Sequence, residues 1–365
     1  MRALVIGGTG PTGHFVVNGL LERGYEVAIL HTGAHEIPEI PAEVEHIHAD
    51  PFADQSFAEA IHGRTFDLCV AMYGRLRRIA EIMVGKTDHF VSIGGVPAYR
   101  GYMNAGLFSP PGIPTPIRED APVVSDPSED GKGWRIVRTE EAVFEAQPRA
   151  VHFRYPYVYG RYQLLPREWC VVRRIMDGRP HIILADGGLS LQTYGYAGNL
   201  AHAVLLGVDH PEVAAGQIYN CADDEILSVR QVVELIAAEL DHTWEIVSMP
   251  WELAIPSRPL VSHPLGTHRV LDLGKIRHEL GYRDVVPARK AIAEYARLLV
   301  QRPPEPGGTE EYALQDPFDY AAEDKLIAGW KRALGSMPEI HYESEPGYTL
   351  SYSGPGGRLK TSDFD

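Results

Sequence analysis

Cysteine is scarce in this chain, long apolar runs are missing, and positive charge is in deficit. Three cysteines occur in 365 residues, Cys69, Cys170 and Cys221. An odd, widely spaced set supports neither a disulfide framework nor a cysteine-based zinc site, so the expected setting is a reducing cytoplasm and no metal centre is expected. No apolar stretch approaches the roughly 20 residues that a membrane-spanning helix requires, and the short apolar start, broken by glycines, does not read as a signal peptide. Lysine and arginine number 34 against 49 aspartates and glutamates, a formal net charge of -15. Nucleic acid and anionic membranes both need basic surface, so neither is an expected partner. What is present is the composition of a soluble globular protein, long enough for one large or two ordinary domains.

The most informative stretch is the first. Ala3 to Ile6 form a short apolar run, glycines follow at Gly7, Gly10 and Gly13, and Phe15, Val16, Leu20 and Leu21 then recur at helical spacing until Gly24. A strand, a glycine turn and a helix N-terminus in this order make an anion site, because backbone N–H groups approach a pyrophosphate unobstructed and the helix dipole favours its charge. The turn, with Thr9, Pro11 and Thr12 between its glycines, is therefore expected to bind a dinucleotide. A second strand, Val27 to Leu30, ends at His31-Thr32-Gly33. An acid there reads the ribose of NAD and a nearby arginine the 2′-phosphate of NADP. Neither is present among these residues, which slightly favours NADP over NAD.

Strand and helix patterns then alternate. Strands are expected at Val44 to His48, Phe66 to Met72, His89 to Ile93 and Val151 to Arg154, with helices near Asp54, over Arg75 to Val84 and over Trp134 to Ala146. This alternation implies an α/β doubly wound parallel sheet of Rossmann type. Asp50 and Pro51 follow the third strand, Tyr73 and Gly74 the fourth, Ser92 lies in the fifth, and Tyr155, Pro156 and Val158 follow the sixth, all places where a dinucleotide is contacted in such a sheet. Between Gly94 and Gly133 the pattern lapses into proline and glycine, a length expected of a functional lid. The expected division is a dinucleotide-binding domain over 1–165, a smaller α+β substrate lobe over 166–302 that returns some elements to the sheet, and an acidic, partly packed extension over 303–365. That extension holds 12 acidic and 5 basic residues.

The chain resembles the short-chain dehydrogenase/reductase superfamily, in its extended, NAD-dependent epimerase/dehydratase-like branch. The resemblance rests on the Gly7/Gly10/Gly13 turn, Phe90-Val91-Ser92-Ile93 with Ala98-Tyr99, Pro116-Ile117-Arg118-Glu119, and Arg154-Tyr155-Pro156-Tyr157-Val158-Tyr159-Gly160. Gln192-Thr193-Tyr194 before Asn199, and Val270 to Lys275, also match. Leu165-Pro166-Arg167-Glu168-Trp169 is similar to the atypical group that includes the chloroplast stem-loop-binding proteins. The resemblance implies NAD(P) as cofactor, a small-molecule substrate and dimerisation through a pair of helices, though the sequence identifies no interface.

It also implies a serine or threonine, a tyrosine and a lysine, the last two spaced Tyr-x-x-x-Lys on one helix face so that the lysine lowers the phenol pKa. An ungapped match places Gly95, Trp134 and Arg138 at these positions. Indole is no proton shuttle near neutral pH, and arginine stays protonated. Arg138 is left to hold the nicotinamide ribose, and Gly95 and Trp134 to line the substrate. Tyr102 and Tyr157 become the candidate replacements for the missing acid/base group. Gln192 stands where nucleotide-sugar enzymes carry an arginine that clamps a diphosphate, so a small substrate other than a nucleotide sugar is expected, with Arg269 as a further contact. The function implied is an atypical NAD(P)-dependent oxidoreductase or epimerase. The alternative is a non-catalytic dinucleotide-binding regulatory or RNA-associated protein, against which the acidic balance argues.

Overall fold

The computed structural model describes residues 1–72, 74–261, 266–343, 349–350 and 360–361. The chain divides into two compact units, Met1–Phe318 and Asp319–Asp365.

The first unit begins with β1 (Arg2–Ile6), α1 (Gly13–Glu22), β2 (Glu26–His31), β3 (Glu45–His48), α2 (Asp54–Ala60), β4 (Phe66–Ala71), α3 (Leu76–Ile82), β5 (Thr87–Gly95), α4 (Gly131–Ala146), β6 (Val151–Tyr155) and β7 (Tyr157–Tyr159). It continues with α5 (Trp169–Met176), β8 (His181–Ala185), β9 (Leu191–Gln192), β10 (Tyr194–Tyr196), α6 (Ala197–Asp209), α7 (Pro211–Ala214), β11 (Ile218–Asn220), β12 (Leu227–Ser228) and α8 (Val229–Glu239). β13 (Glu245–Met249), α9 (Gly274–Glu279), α10 (Ala288–Gln301) and α11 (Thr309–Leu314) complete it. The second unit contains α12 (Tyr320–Gly335) and the short antiparallel pair β14 (Thr349–Leu350) and β15 (Lys360–Thr361).

Seven parallel strands form the main sheet in the order β11-β6-β5-β4-β1-β2-β3. β1 is apolar on both faces because both are covered. Ala3 and Val5 join Val16, Val17, Leu20 and Leu200 on one side, and Leu4 and Ile6 join Phe57, Ile79 and Val143 on the other. The chain leaves β1 toward β2 on one side and resumes at β4 on the other, so the switch point of the sheet lies at the end of β1, where the glycine turn sits.

A separate core holds the smaller lobe. Trp169, Val172, Ile182, Leu184, Val233, Ile236, Ile292 and Tyr295 pack together, and β8 pairs in parallel with β13. Ser228 starts α8 with a capping box closed by Gln231. α11 and the stretch after it are tied back to α5: Trp169 Nε1 donates to Glu311 at 2.9 Å, and Arg174 Nη1 to Asp316 at 2.7 Å.

The segment between β5 and α4, expected to form a lid, is stitched to the body of the sheet domain. Tyr99 and Ile117 are core residues, the Tyr99 hydroxyl donates to Asn220 at 2.6 Å, and Ile117 N donates to the Val270 carbonyl at 2.7 Å. The reason is the apolar side chains spaced among its prolines, which supply anchors that composition alone conceals.

Candidate dinucleotide and substrate site

The glycine turn has the shape its sequence requires. Gly7 takes a φ of 93°, open to glycine at little cost, and its N–H donates to the Leu30 carbonyl at 3.0 Å. A β-carbon at Gly13 would lie 2.5 Å from the Gly8 carbonyl carbon, so α1 can approach the turn only without one. At Gly10 the nearest atom to such a carbon is the Gly7 oxygen at 3.7 Å, leaving the outer face of the turn open. Thr12 is the N-cap residue, and its side chain makes no capping bond. Thr9 and Thr12 are buried and Pro11 half-buried. An open glycine face over a helix N-terminus fits a pyrophosphate.

The neighbouring strand ends assemble around it. Gly74 packs against Pro51, where a β-carbon would lie 2.7 Å from the proline ring and carbonyl, and Arg75 N donates to the Pro51 oxygen. Asp50 Oδ1 accepts from Phe52 N at 2.8 Å, a local turn bond. Tyr73 and His263 lie outside the described residues. Thr32 is exposed. The buried His31 Nε2 stands 3.0 Å from His46 Nδ1, and Glu36 and His48 complete a cluster that the sequence reading missed. Glu36 also brings a carboxylate to a strand end where none had been expected. Its signal was present in the alternation His46-x-His48, which puts both rings on one face of β3.

Other expected contacts are committed elsewhere. The Ser92 side chain is fully buried, with Oγ 2.7 Å from His152 Nδ1, while His152 Nε2 stands 3.3 Å from Glu140 Oε1. Glu140 takes both Arg154 nitrogens, at 2.9 and 2.6 Å. The Tyr155 ring is core, its hydroxyl donating to the Leu200 carbonyl at 3.3 Å, and burial raises its pKa well above the ordinary value. Pro156 is buried, and Val158 lies in β7 opposite Gly195.

Arg138 is not drawn into this group. Its side chain is 55% exposed and pairs with Glu141 on the outer face of α4. The α4 residue that faces the end of β5 is Ile136, whose Cδ1 lies 4.0 Å from where a β-carbon at Gly95 would sit. Lys132 precedes it by one turn, on the same face and exposed. The ungapped match expects Trp134 and Arg138 at this place; the structure puts Ile136 beside Gly95 and leaves Arg138 at the surface. Trp134 packs half-buried against Ala98, Val124 and Val137.

Of the two candidate tyrosines, Tyr157 is a brace. Its hydroxyl accepts from Arg167 N at 2.8 Å and lies 2.9 Å from both the Leu165 carbonyl and Glu168 Oε2. A phenol has one proton to give, so the third contact is satisfied when Glu168 carries a proton of its own. Burial pushes the Glu168 carboxyl up to about 7, in keeping with that arrangement. Tyr102 is also buried, and burial raises its pKa against the pull of Arg269 and Arg167.

Tyr102, Gln192 and Arg269 do come together. Arg269 is 1% exposed, its Nε donates to the Tyr102 carbonyl at 2.8 Å, and its Nη1 and the Gln192 amide both donate to the Thr267 carbonyl. Nη2 of Arg269 and Nε of Arg167 are buried and have no partner among the described residues. Burial and nearby Arg167 pull the Arg269 pKa down to about 10. Two guanidiniums thus bear on Tyr102, and Arg167 also on Tyr194, a cationic, aromatic-lined setting that favours an anion.

This strand order, turn and second lobe also occur together in known structures. The chain has the fold of the NAD-dependent epimerases and dehydratases. A UDP-galactose 4-epimerase superposes with a TM-score of 0.61 at 16% identity, over 83% of this chain and 100% of that one. The Thermotoga maritima UDP-glucose 4-epimerase superposes at 0.65 and 15% identity, over 82% and 99%. A dTDP-glucose 4,6-dehydratase from Bacillus anthracis, solved in complex with NAD, superposes at 0.62 and 14%, over 83% and 97%. No protein-family model matches the chain. Among curated proteins, a 3-diazoavenalumate denitrifying reductase of a Streptomyces species is 23% identical over 313 residues, 79% of this chain and 97% of that protein. The epimerase/dehydratase fold is thus combined here with a relative named as a reductase. Among the described residues no helix is long and apolar enough to cross a membrane.

Proposed function

We propose that this protein is an NAD(P)H-dependent reductase of a small aromatic anion, working without the tyrosine–lysine relay of its fold. The observation that carries the proposal is the pairing of an intact glycine turn with Ile136, an aliphatic residue, facing Gly95 from α4. When bound, reduced nicotinamide supplies a hydride. Gly7, Gly10 and Gly13 would hold its pyrophosphate, and the ends of β2 and β3 its adenosine. Glu36 beside His31 removes the ground for preferring NADPH, so either reduced nucleotide serves this reading.

The absence of a relay limits the chemistry. Epimerases and dehydratases remove and return protons, which a hydrocarbon side chain cannot do. Reductive replacement of a diazonium group consumes one hydride and releases dinitrogen, and its atoms and charges balance with no proton taken up. Such a step asks for no proton shuttle, and α4 offers none among the described residues facing Gly95; the diazo reductase among the relatives is named for removing nitrogen. Arg269 and Arg167 would hold the substrate's carboxylate, Tyr102 and Tyr194 would flank its ring, and neutral Gln192 would leave no clamp for a nucleotide diphosphate.

The test is to incubate the protein with NADPH or NADH and a panel of diazotised aromatic acids, ketones and nucleotide sugars, following nicotinamide absorbance and gas release. Oxidation of the nucleotide with the diazonium acids is the expected result. Tight nucleotide binding without turnover on any of them supports the non-catalytic reading instead.

A further inference from the structure

Four donors from two strands and one loop meet at the outer end of the main sheet. His31 closes β2, His46 and His48 lie two apart on β3, and Glu36 comes from the loop between these strands. One ligand atom from each lies within 4.8 Å of every other. His31 Nε2 is 3.0 Å from His46 Nδ1, Glu36 Oε1 is 3.4 Å from His48 Nε2, and Glu36 Oε1 is 3.9 Å from His46 Nδ1. Tetrahedral bonds of about 2.0–2.1 Å to one zinc ion set donor separations near 3.4 Å. The observed distances bracket that figure, so small side-chain rotations bring all four donors to a common centre.

We infer that His31, Glu36, His46 and His48 form a binding site for one divalent transition-metal ion of the zinc class. Three imidazoles and a carboxylate are borderline donors, suited to Zn²⁺, Co²⁺ or Ni²⁺ and poorly suited to Mg²⁺ or Ca²⁺. The backbone presets the rings. His31 and His48 are register partners in parallel strands, and the alternation of β3 places His46 beside them. Gly33 N donates to His31 Nδ1 at 3.3 Å, which leaves the His31 proton on Nε2, facing His46. Loading the ion through Nε2 moves that proton to Nδ1, at the cost of the Gly33 bond. The loop that carries Glu36 also carries Glu39, which accepts from the Tyr162 hydroxyl at 2.6 Å and pairs with Arg161. A bound ion would therefore add a second anchor, at Glu36, to a loop already held at Tyr162 through Glu39.

The site borders the strand ends proposed to hold adenosine, and it is tested by metal content and spectra, which need no turnover. Untagged full-length protein is dialysed against Zn²⁺, then against buffer, and its metal content measured. Co²⁺ is titrated separately and its visible absorption recorded. The expected result is one ion per chain, intense tetrahedral Co²⁺ bands, a raised melting temperature with Zn²⁺ and none with Mg²⁺. The double variant His46→Ala/His48→Ala should keep the wild-type circular dichroism and lose the ion, while His62→Ala, an exposed histidine outside the cluster, should retain it. Substoichiometric zinc in the wild type, or unchanged zinc in the double variant, overturns the site. Should the double variant misfold, Glu36→Gln serves in its place: weaker zinc binding sustains the assignment, and unchanged affinity overturns it.

Discussion

Ile136 occupies the face of α4 that looks onto Gly95, with Cδ1 4.0 Å from the position a β-carbon there would take. A hydrocarbon at this point cannot shuttle a proton. Replacing Ile136 with Ala should therefore lower hydride transfer less than about tenfold, well under the hundredfold or more that loss of an acid/base group costs. A hundredfold loss in kcat, measured with saturating NADPH and substrate, would show that the α4 face takes part in the chemistry.

The two glycine substitutions in the turn should separate folding from binding. Gly10→Ala places its methyl in open space and should leave the melting temperature unchanged while weakening nicotinamide nucleotide binding by tenfold or more. Gly13→Ala forces a carbon to within 2.5 Å of the Gly8 carbonyl and should reduce both. Calorimetric titration beside a thermal melt distinguishes them. Equal affinity in Gly10→Ala and wild type would remove the pyrophosphate from this turn.

Arg269 and Arg167 each keep a buried N–H without a partner among the described residues. A charge-assisted hydrogen bond to a carboxylate contributes about 1.5–3 kcal/mol, so Arg167→Gln should raise KM for a carboxylate substrate roughly ten- to a hundredfold. The methyl ester of the same substrate should show little difference between variant and wild type. An equal rise for acid and ester would mean that the arginine shapes the pocket and does not read charge.

Glu168 gives a pH signature. Burial holds its folded pKa at about 7, above the unfolded value of about 4.3. The folded state therefore keeps a proton that the unfolded chain releases, and this contribution is full below about pH 4.3 and lost as pH rises through about 7. Glu168→Gln removes the titration. The variant's stability relative to wild type should rise across that window by roughly 3 kcal/mol, at about 1.36 kcal/mol per unit. Denaturant melts at pH 4.5 and 8 measure it, and a pH-independent difference would show that Glu168 ionises normally.

The Arg154–Glu140 pair is fully bidentate and almost wholly buried. Arg154→Met strands the carboxylate and should cost about 3–5 kcal/mol. Chemical denaturation checks this, and a loss below about 1 kcal/mol would mean that water reaches Glu140.

Much of the sheet was legible because its signals are local. Val27 to Leu30 is an apolar run and Phe66 to Met72 nearly so, each near a glycine, and such runs mark parallel strands covered on both faces. The glycine turn was legible for the same reason. The α4 register was not, since an ungapped match cannot tell which face of a helix meets a strand end, and only the position of Ile136 over Gly95 settles that face. Tyr157 drew attention as a free phenol because its partners, Leu165, Arg167 and Glu168, depend on how the following turn folds. The His31, Glu36, His46 and His48 group was hidden by strand pairing: His31 and His48 are 17 residues apart in sequence and directly opposed in space.

Ser92, His152 and Glu140 stand in the order of a hydrolytic relay, serine against imidazole against carboxylate. Gly94 makes room for the imidazole, since a β-carbon there would fall 2.3 Å from His152 Nε2. Yet Ser92 and His152 have no exposed surface, and Glu140 is already held by Arg154. A fluorophosphonate that labels activated serines should leave the folded protein unmarked. What separates a brace from a nucleophile here is access to water, and spacing alone does not reveal it.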